Sequence, residues 1–387
     1  MTTDSPTQAE NATFAVTPVA VDAEIPVPED PDAPGEWLAV HVFYSSNNHP
    51  LLVDGIAPVI EELREEGLIR RWFFIRYWME GPHLRVRLLP RRAGDAETIA
   101  KRLFKSLDEF LADRPALYEM DESEMGGLFK EMFLGEYSEE QWNQLYGADG
   151  NMPMRPNNSY AVMRYEPEVA RYGGPHGIEI AERHFEKSSD MVLRLVEMTN
   201  VHVRSVLFGL AAQLMTVMLA AFQQDRAASA AFLSTYRTYW ERSGDGDSSP
   251  RHSAYNDAYQ TMSSELHDHL GAVYETASRH DVESLSGFLR EWAEHCVELR
   301  TELVDLAGQG KLEFPIGMDS QAGPVDADTA LFALLSGYIH MTNNRLGVSI
   351  IDECYLSYLL ELTLTGGEPV DLEANIGAMF GGTGADR

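Results

Sequence analysis

Residues 69–89 read IRRWFFIRYWMEGPHLRVRLL. The stretch divides at Met79-Glu80-Gly81-Pro82, a cluster of turn formers. Upstream, period-two alternation puts Trp72, Phe74, Arg76 and Trp78 on one face and Phe73, Ile75 and Tyr77 on the other. Both faces are mostly apolar, which predicts a strand covered on both sides. An arginine in such company, Arg76, is either paired with an acid or part of a site. Downstream, Leu84, Val86 and Leu88 alternate with His83, Arg85 and Arg87. The even set predicts a core face and the odd set a face toward a cleft or solvent. Together the two runs predict a β-hairpin. Guanidinium forks on one strand face suit a carboxylate or phosphate held bidentately, although a solvated strand face would carry the same residues.

Working outward, residues 37–44 (WLAVHVFY) predict a strand. Residues 51–66 predict an amphipathic helix with Leu52, Ile56, Val59, Ile60 and Leu63 on one face. Residues 96–111 predict another, with Ile99, Leu103, Leu107 and Leu111 in line. Residues 159–165 (SYAVMRY) predict a fourth strand. The order β-α-β-β-α-β is that of the ferredoxin-like split-βαβ motif. Its last crossover carries an insertion, 114–158, without clear periodicity. Beyond it the pattern is helical over 178–198, 203–222, 255–274, 282–306, 330–345 and 354–363, with a polar loop at 242–252. The expected class is therefore α+β: a ferredoxin-like βαββαβ sheet followed by a largely helical second half. One domain is expected over 36–365, divided into an α/β part at about 36–175 and a helical part at about 176–365. Residues 1–35 contain no Lys or Arg and read as a disordered acidic tail, and 366–387 as a frayed one.

The 387 residues include 61 acidic and 30 basic side chains, a formal charge of −31. That balance argues against direct nucleic-acid binding, which needs clustered Lys and Arg. No apolar run reaches the roughly 20 residues of a bilayer span, since 206–221 is interrupted by Gln213 and Thr216. No signal peptide is evident, so no membrane association is expected. The two cysteines, Cys296 and Cys354, are too few for a disulfide framework or a cysteine-rich metal site. These features fit a reducing cytoplasm. Phosphate loops, serine elbows and HExxH are absent, and no metal or cofactor is expected.

Two later segments carry candidate chemistry. Tyr165-Glu166-Pro167-Glu168-Val169-Ala170-Arg171-Tyr172-Gly173-Gly174-Pro175 lies between a strand and a helix. Its glycines permit unusual backbone angles and Pro175 suits a helix entry. Arg171 near a helix N-terminus favours an anion, while a Glu168–Arg171 surface pair on a structural turn is the plainer reading. In Tyr338-Ile339-His340-Met341-Thr342-Asn343-Asn344-Arg345-Leu346-Gly347, His340 and Asn344 share a helix face. His340 is a candidate acid or base, or a core histidine bonded to a carbonyl.

Three segments, in this order, resemble a known family: Trp72-Phe73-Phe74-Ile75-Arg76-Tyr77 with Gly81 to Arg87; Tyr165-Glu166-Pro167-Glu168 with Arg171-Tyr172-Gly173-Gly174; and His340-Met341 with Asn344-Arg345-Leu346-Gly347. The chain from about Trp37 to Thr363 resembles the C-terminal glutamate-elimination domain of class I lanthipeptide dehydratases, also described as the thiopeptide-type bacteriocin biosynthesis domain. The resemblance implies a lyase that removes glutamate from glutamylated Ser or Thr of a ribosomally made precursor peptide, leaving dehydroalanine or dehydrobutyrine. It implies Arg85, Arg87, Glu168, Arg171 and His340 as elimination residues, and Arg76, His83, Tyr165, Asn344 and Arg345, from the same segments, are expected to bind substrate. The chain has no room for the large glutamylation domain, so a separate tRNA-dependent glutamylation protein is an expected partner. Two alternatives remain. Relatives close pyridine macrocycles by a formal [4+2] cycloaddition of dehydroalanines, and a non-catalytic subunit would only present the peptide.

Overall fold

The computed structural model describes residues 19–20, 25, 28–118, 122–148, 150–223, 225–242, 249–285, 287–315 and 322–370. In chain order its first elements are β1 (Val19–Ala20), β2 (Leu38–Phe43), α1 (Asn48–Pro50), α2 (Ala57–Glu65), β3 (Ile69–Tyr77), β4 (His83–Pro90) and α3 (Ala96–Asp113). Then come α4 (Glu122–Glu136), α5 (Glu139–Tyr146) and β5 (Ser159–Met163). The helical half comprises α6 (Gly174–Met198), α7 (Arg204–Gln223), α8 (Arg226–Arg242), α9 (Ser249–Leu266), α10 (Ala272–Ser278) and α11 (Phe288–Gly308). It ends with β6 (Glu313–Pro315), β7 (Ala322–Pro324), α12 (Ala327–Leu346) and α13 (Ile350–Thr365).

The sheet order is β1-β5-β2-β4-β3, with β2 to β5 antiparallel in the arrangement a ferredoxin-like motif requires. The α+β expectation is met. The 69–89 hairpin forms as read, turning through Glu80 (φ 62°) and Gly81 (φ 113°), the latter in a region that only glycine enters easily. Leu38, Val40, Val42, Leu84, Val86 and Leu88 are buried in one core with Ile60 and Leu63 of α2 and Leu103 and Leu107 of α3. Burial stabilises by roughly 2 kcal/mol for each such side chain. This packing commits the even positions of β4 inward and leaves the odd ones to the opposite face.

On the edge strand β3, outward backbone groups of Phe74 and Arg76 are occupied from the helical half. Ser189 Oγ accepts from Phe74 N at 3.2 Å. Asn344 of α12 both accepts from Arg76 N and donates to Arg76 O, each at 2.9 Å.

Several boundaries differ from the sequence reading. The insertion 114–158 is not irregular: it holds α4 and α5, and Phe129, Phe133, Trp142 and Met152 close a small core of their own. Glu80 fastens it to the hairpin tip, its carbonyl and carboxylate accepting from Arg155 N at 2.8 Å and Nε at 2.9 Å. The helix read at 51–66 is α in 57–65 and π in Leu51–Ile56. The helix α8 was missed because its Thr235 and Thr238 disguise the periodicity, each bonding back to a carbonyl one turn earlier. The polar loop at 242–252 is helical from Ser249, and its residues 243–248 lie outside the described ones. The long helix read from 282 begins at Phe288, after Gly287 at φ 56°. Residues 255–274 span a π segment, His267–Gly271, between α9 and α10.

Helix α7 corrects the expectation of no span-length run. At 20 residues it is, among the described residues, one helix long and apolar enough to cross a membrane. Yet Leu210 to Phe222 are nearly all buried in the main core, as in the central helix of a bundle. Most of the predicted N-terminal tail lies outside the described residues. Within it, Val19–Ala20 pairs parallel with β5, and Pro34 bridges Arg92. Of the predicted C-terminal tail, 371–387 likewise lie outside, while Val370 N donates to Glu361 Oε1 at 2.8 Å. Cys296 and Cys354 are buried free thiols.

Candidate active site

The register of the sheet sets His83, Arg85 and Arg87 of β4 beside Phe43, His41 and Ala39 of β2, and beside Tyr77, Ile75 and Phe73 of β3. All share the face turned from the α2–α3 core. Arg87 is only 4 % exposed, and its Nε and Nη1 have no hydrogen-bond partner among the described residues. Its guanidinium lies 5.3 Å from the Tyr165 ring centroid. Burial, with Arg85 alongside, holds its pKa down at about 9. Arg85 packs against Tyr77, with Cζ 3.3 Å from the ring centroid, and burial is the main cause that lowers its pKa, the Glu168 carboxylate acting against it.

His83, 2 % exposed, stacks between His41 (4.9 Å) and Phe43 (4.6 Å). Burial is the main cause that pushes its pKa down to about 3, and Arg85 and Arg87 act in the same direction. His41 is pushed further the same way, chiefly by burial and then by Arg87, and its Nε2 has no partner. Both imidazoles are therefore neutral, and the positive charge of this face resides on the guanidiniums. Arg155, from the insertion, adds a third cation close enough to depress both histidines. Arg155 is paired with Glu80, whereas among the described residues no carboxylate is seen bonded to Arg85 or Arg87.

The second segment forms a tight turn into α6, with Gly173 at φ 85° and Pro175 in the first turn. Glu168 and Arg171 pair at 3.4 Å, both about half exposed. They line a cavity of about 400 Å³ with Tyr137, Tyr172, Tyr239, Trp240 and Gly337. Tyr137 ties this cavity to the arginine strand, because its hydroxyl lies 3.1 Å from that of Tyr77. Trp240 ties it to the third segment, because its ring lies 4.8 Å from that of His340. Gly337 and His340 are one turn apart on α12. His340 Nδ1 is 3.1 Å from Oε1 of the fully buried Glu353.

Of the expected site residues, Glu168 and Arg171 line the cavity, His340 meets it through Trp240 and Arg85 through Tyr77 and Tyr137, while Arg87, His83 and Tyr165 sit on the sheet face. Three other expected binding residues are engaged in structure. Asn344 is bonded to the Arg76 backbone. Arg76 donates from Nε to the Arg345 carbonyl at 3.0 Å, and burial holds its pKa down at about 10. Arg345 is fully buried, donating to Ser189 Oγ at 3.1 Å and to the Met341 carbonyl at 2.8 Å, with burial setting its pKa at about 9. Tyr165 donates to Glu182 at 2.9 Å while presenting its ring to Arg87.

His41, Tyr77, Tyr137, Arg155, Trp240 and Glu353 escaped the sequence reading. His41 was legible as the one imidazole in the apolar run WLAVHVFY, on the alternate register from Val40 and Val42. Tyr77 shares the odd set of its strand. The others reach the site only through tertiary packing.

Two solved structures share this fold. The pyridine synthase TbtD from thiomuracin biosynthesis aligns over 85 % of this chain and 98 % of its own, at 18 % identity and a TM-score of 0.61. TsrL aligns over 88 % of this chain and 98 % of its own, at 18 % identity and a TM-score of 0.63. The tRNA-dependent lantibiotic dehydratase MibB from Microbispora sp. 107891 aligns over 92 % of this chain and 29 % of its own, at 18 % identity and a TM-score of 0.43. No curated protein matches by sequence. Residues 37–364, and with them all three motif segments, match the family described as the lantibiotic biosynthesis dehydratase C-term, and the chain belongs to that family.

Proposed function

We propose that the protein eliminates glutamate from O-glutamylated Ser or Thr of a ribosomally made precursor peptide, leaving dehydroalanine or dehydrobutyrine. Family membership supports a role in peptide natural-product biosynthesis. The observation that carries the finer reading is Arg87, buried beside Arg85 with Nε and Nη1 unpartnered. A guanidinium held so is stabilised when a carboxylate enters.

The reaction breaks the Cα–H bond, forms Cα=Cβ and breaks Cβ–O, releasing glutamate as a carboxylate. It needs a base, a counter-charge for the enolate-like transition state, and a hold on the leaving group. His340 serves as the proton acceptor. Arg85 and Arg87 receive the developing and departing negative charge. Arg171, oriented by Glu168, closes the cavity wall. The glutamyl ester is supplied by tRNA-dependent glutamylation of the peptide. No metal or cofactor enters the scheme.

A runner-up reading is the formal [4+2] cycloaddition of two dehydroalanines, because a pyridine synthase shares the fold over nearly its whole length. That reaction has no glutamate carboxylate to hold, so the unpaired Arg87 favours elimination. Incubation with a synthetic peptide carrying one O-glutamyl serine tests the choice by mass spectrometry. Loss of the glutamate is the expected result. An unchanged ester, with ring closure in a peptide already bearing dehydroalanines, would overturn it for cycloaddition. Binding with neither reaction would leave a presenting subunit.

A further inference from the structure

Glu353 lies on α13, outside the three motif segments, and is fully buried. It accepts from the Tyr236 hydroxyl of α8 and faces His340 Nδ1 at 3.1 Å through Oε1 and 3.4 Å through Oε2. The His340 ring is held between this carboxylate and the Trp240 indole. Among the described residues, nothing bonds His340 Nε2. The cavity that Trp240 and Gly337 line lies on the same side of α12 as the ring.

We propose that Glu353 is the positioning residue that makes His340 the base, by keeping a proton on Nδ1 so that Nε2 carries the free lone pair. The proposal rests on the elimination reading for the identity of the proton removed, but its core concerns the chain's own atoms. A carboxylate only accepts hydrogen bonds, so a neutral imidazole beside it must carry its proton on Nδ1. Nε2 is then the basic nitrogen. When it takes the Cα proton, the imidazolium formed is paired with a buried carboxylate already in place. The electron pair left on carbon becomes the Cα=Cβ bond as the Cβ–O bond breaks, and the glutamate leaves toward Arg85 and Arg87. Tyr236 fixes the carboxylate from its other side. Glu168 is the competing base, but it is half exposed and engaged by Arg171.

The test is the tautomer. Full-length protein labelled with ¹⁵N-histidine, in mildly alkaline buffer, gives long-range ¹H–¹⁵N imidazole correlations, and His340→Asn identifies the His340 set by its loss. The wild type should show Nδ1 protonated and Nε2 bare. In Glu353→Gln the side-chain amide donates to Nδ1, which moves the proton to Nε2. Turnover of the O-glutamyl serine peptide should then fall about 10³- to 10⁴-fold, the scale known for a misplaced imidazole proton. A protonated Nε2 in the wild type overturns the proposal. So does a Glu353→Gln variant that keeps the wild-type tautomer or the wild-type rate. If that variant does not fold, the wild-type spectrum alone decides. If the wild type leaves the ester intact, the elimination reading fails, and the spectra still decide whether Glu353 sets the His340 proton.

Discussion

Arg85 donates from Nε to His83 Nε2 at 3.2 Å, while His83 Nδ1 donates to the Gly81 carbonyl at 2.8 Å. The carbonyl only accepts and the guanidinium only donates, so His83 has one tautomer and no room for a second proton. The hairpin turn thereby orients the first of the two strand arginines. His83, expected to bind substrate, is engaged by Arg85 in this structure.

Acid should undo this arrangement. The folded-state pKa of His83, about 3, lies below the ordinary 6.5, so the unfolded chain binds the proton first. Stability is complete above about pH 6.5 and falls as pH drops toward 3. By about pH 4 the loss from this group is on the order of 3 kcal/mol. Denaturation midpoints of wild type and His83→Gln, measured from about pH 7 to about pH 4, should differ in slope, with the variant flatter. Parallel slopes would contradict the assignment.

Replacing Arg87 should separate function from stability. The side chain is buried with two donor nitrogens unpaired, so Arg87→Met removes a desolvated charge and keeps much of the volume. The melting temperature should hold or rise, by an amount equivalent to about 1 kcal/mol, while turnover falls at least about 100-fold. A cooperative unfolding loss would show that Arg87 is structural.

Asn344 should behave in the opposite way. Asn344→Ala deletes both bonds to the Arg76 backbone and leaves that edge unsatisfied. A loss of about 2 kcal/mol is expected, with kcat reduced less than in Arg87→Met. Urea denaturation read alongside turnover checks the ordering.

Tyr77→Leu removes the ring on which Arg85 lies at 3.3 Å and the hydroxyl partner of Tyr137. Loss of a partly desolvated cation–π contact of about 1 to 2 kcal/mol should raise KM roughly tenfold, with kcat changed less. An unchanged KM would mean that Arg85 does not hold substrate.

Much of this was legible in the sequence because strand alternation is a short-range code. The 69–89 stretch specified a hairpin, a core face and a polar face, and the β-α-β-β-α-β order then fixed which strands must neighbour it. Helix ends were less legible, since Gly287 or a π segment shifts a boundary without changing the apolar stripe. The insertion was misread because its few aromatics pack on one another and not on the main core. Among the candidate residues, Arg85, Arg87, Glu168, Arg171 and His340 stood out in the sequence by their own patterns. Glu353, Tyr236 and Trp240 did not, because a buried acid on an apolar helix acquires its meaning only from the histidine that another helix brings to it. Asn344 and Arg345 were visible in the sequence, but their bonds to backbone and to Ser189 were not, because those partners come from other elements or from helix geometry.

The outer edge of β3 has a final implication for how a peptide can dock. Phe74 and Arg76 would otherwise offer a free N–H row on which an extended chain adds as an extra strand. Ser189 and Asn344 already fill those positions. An extended peptide therefore finds these two positions closed to strand addition, and contact there falls to side chains.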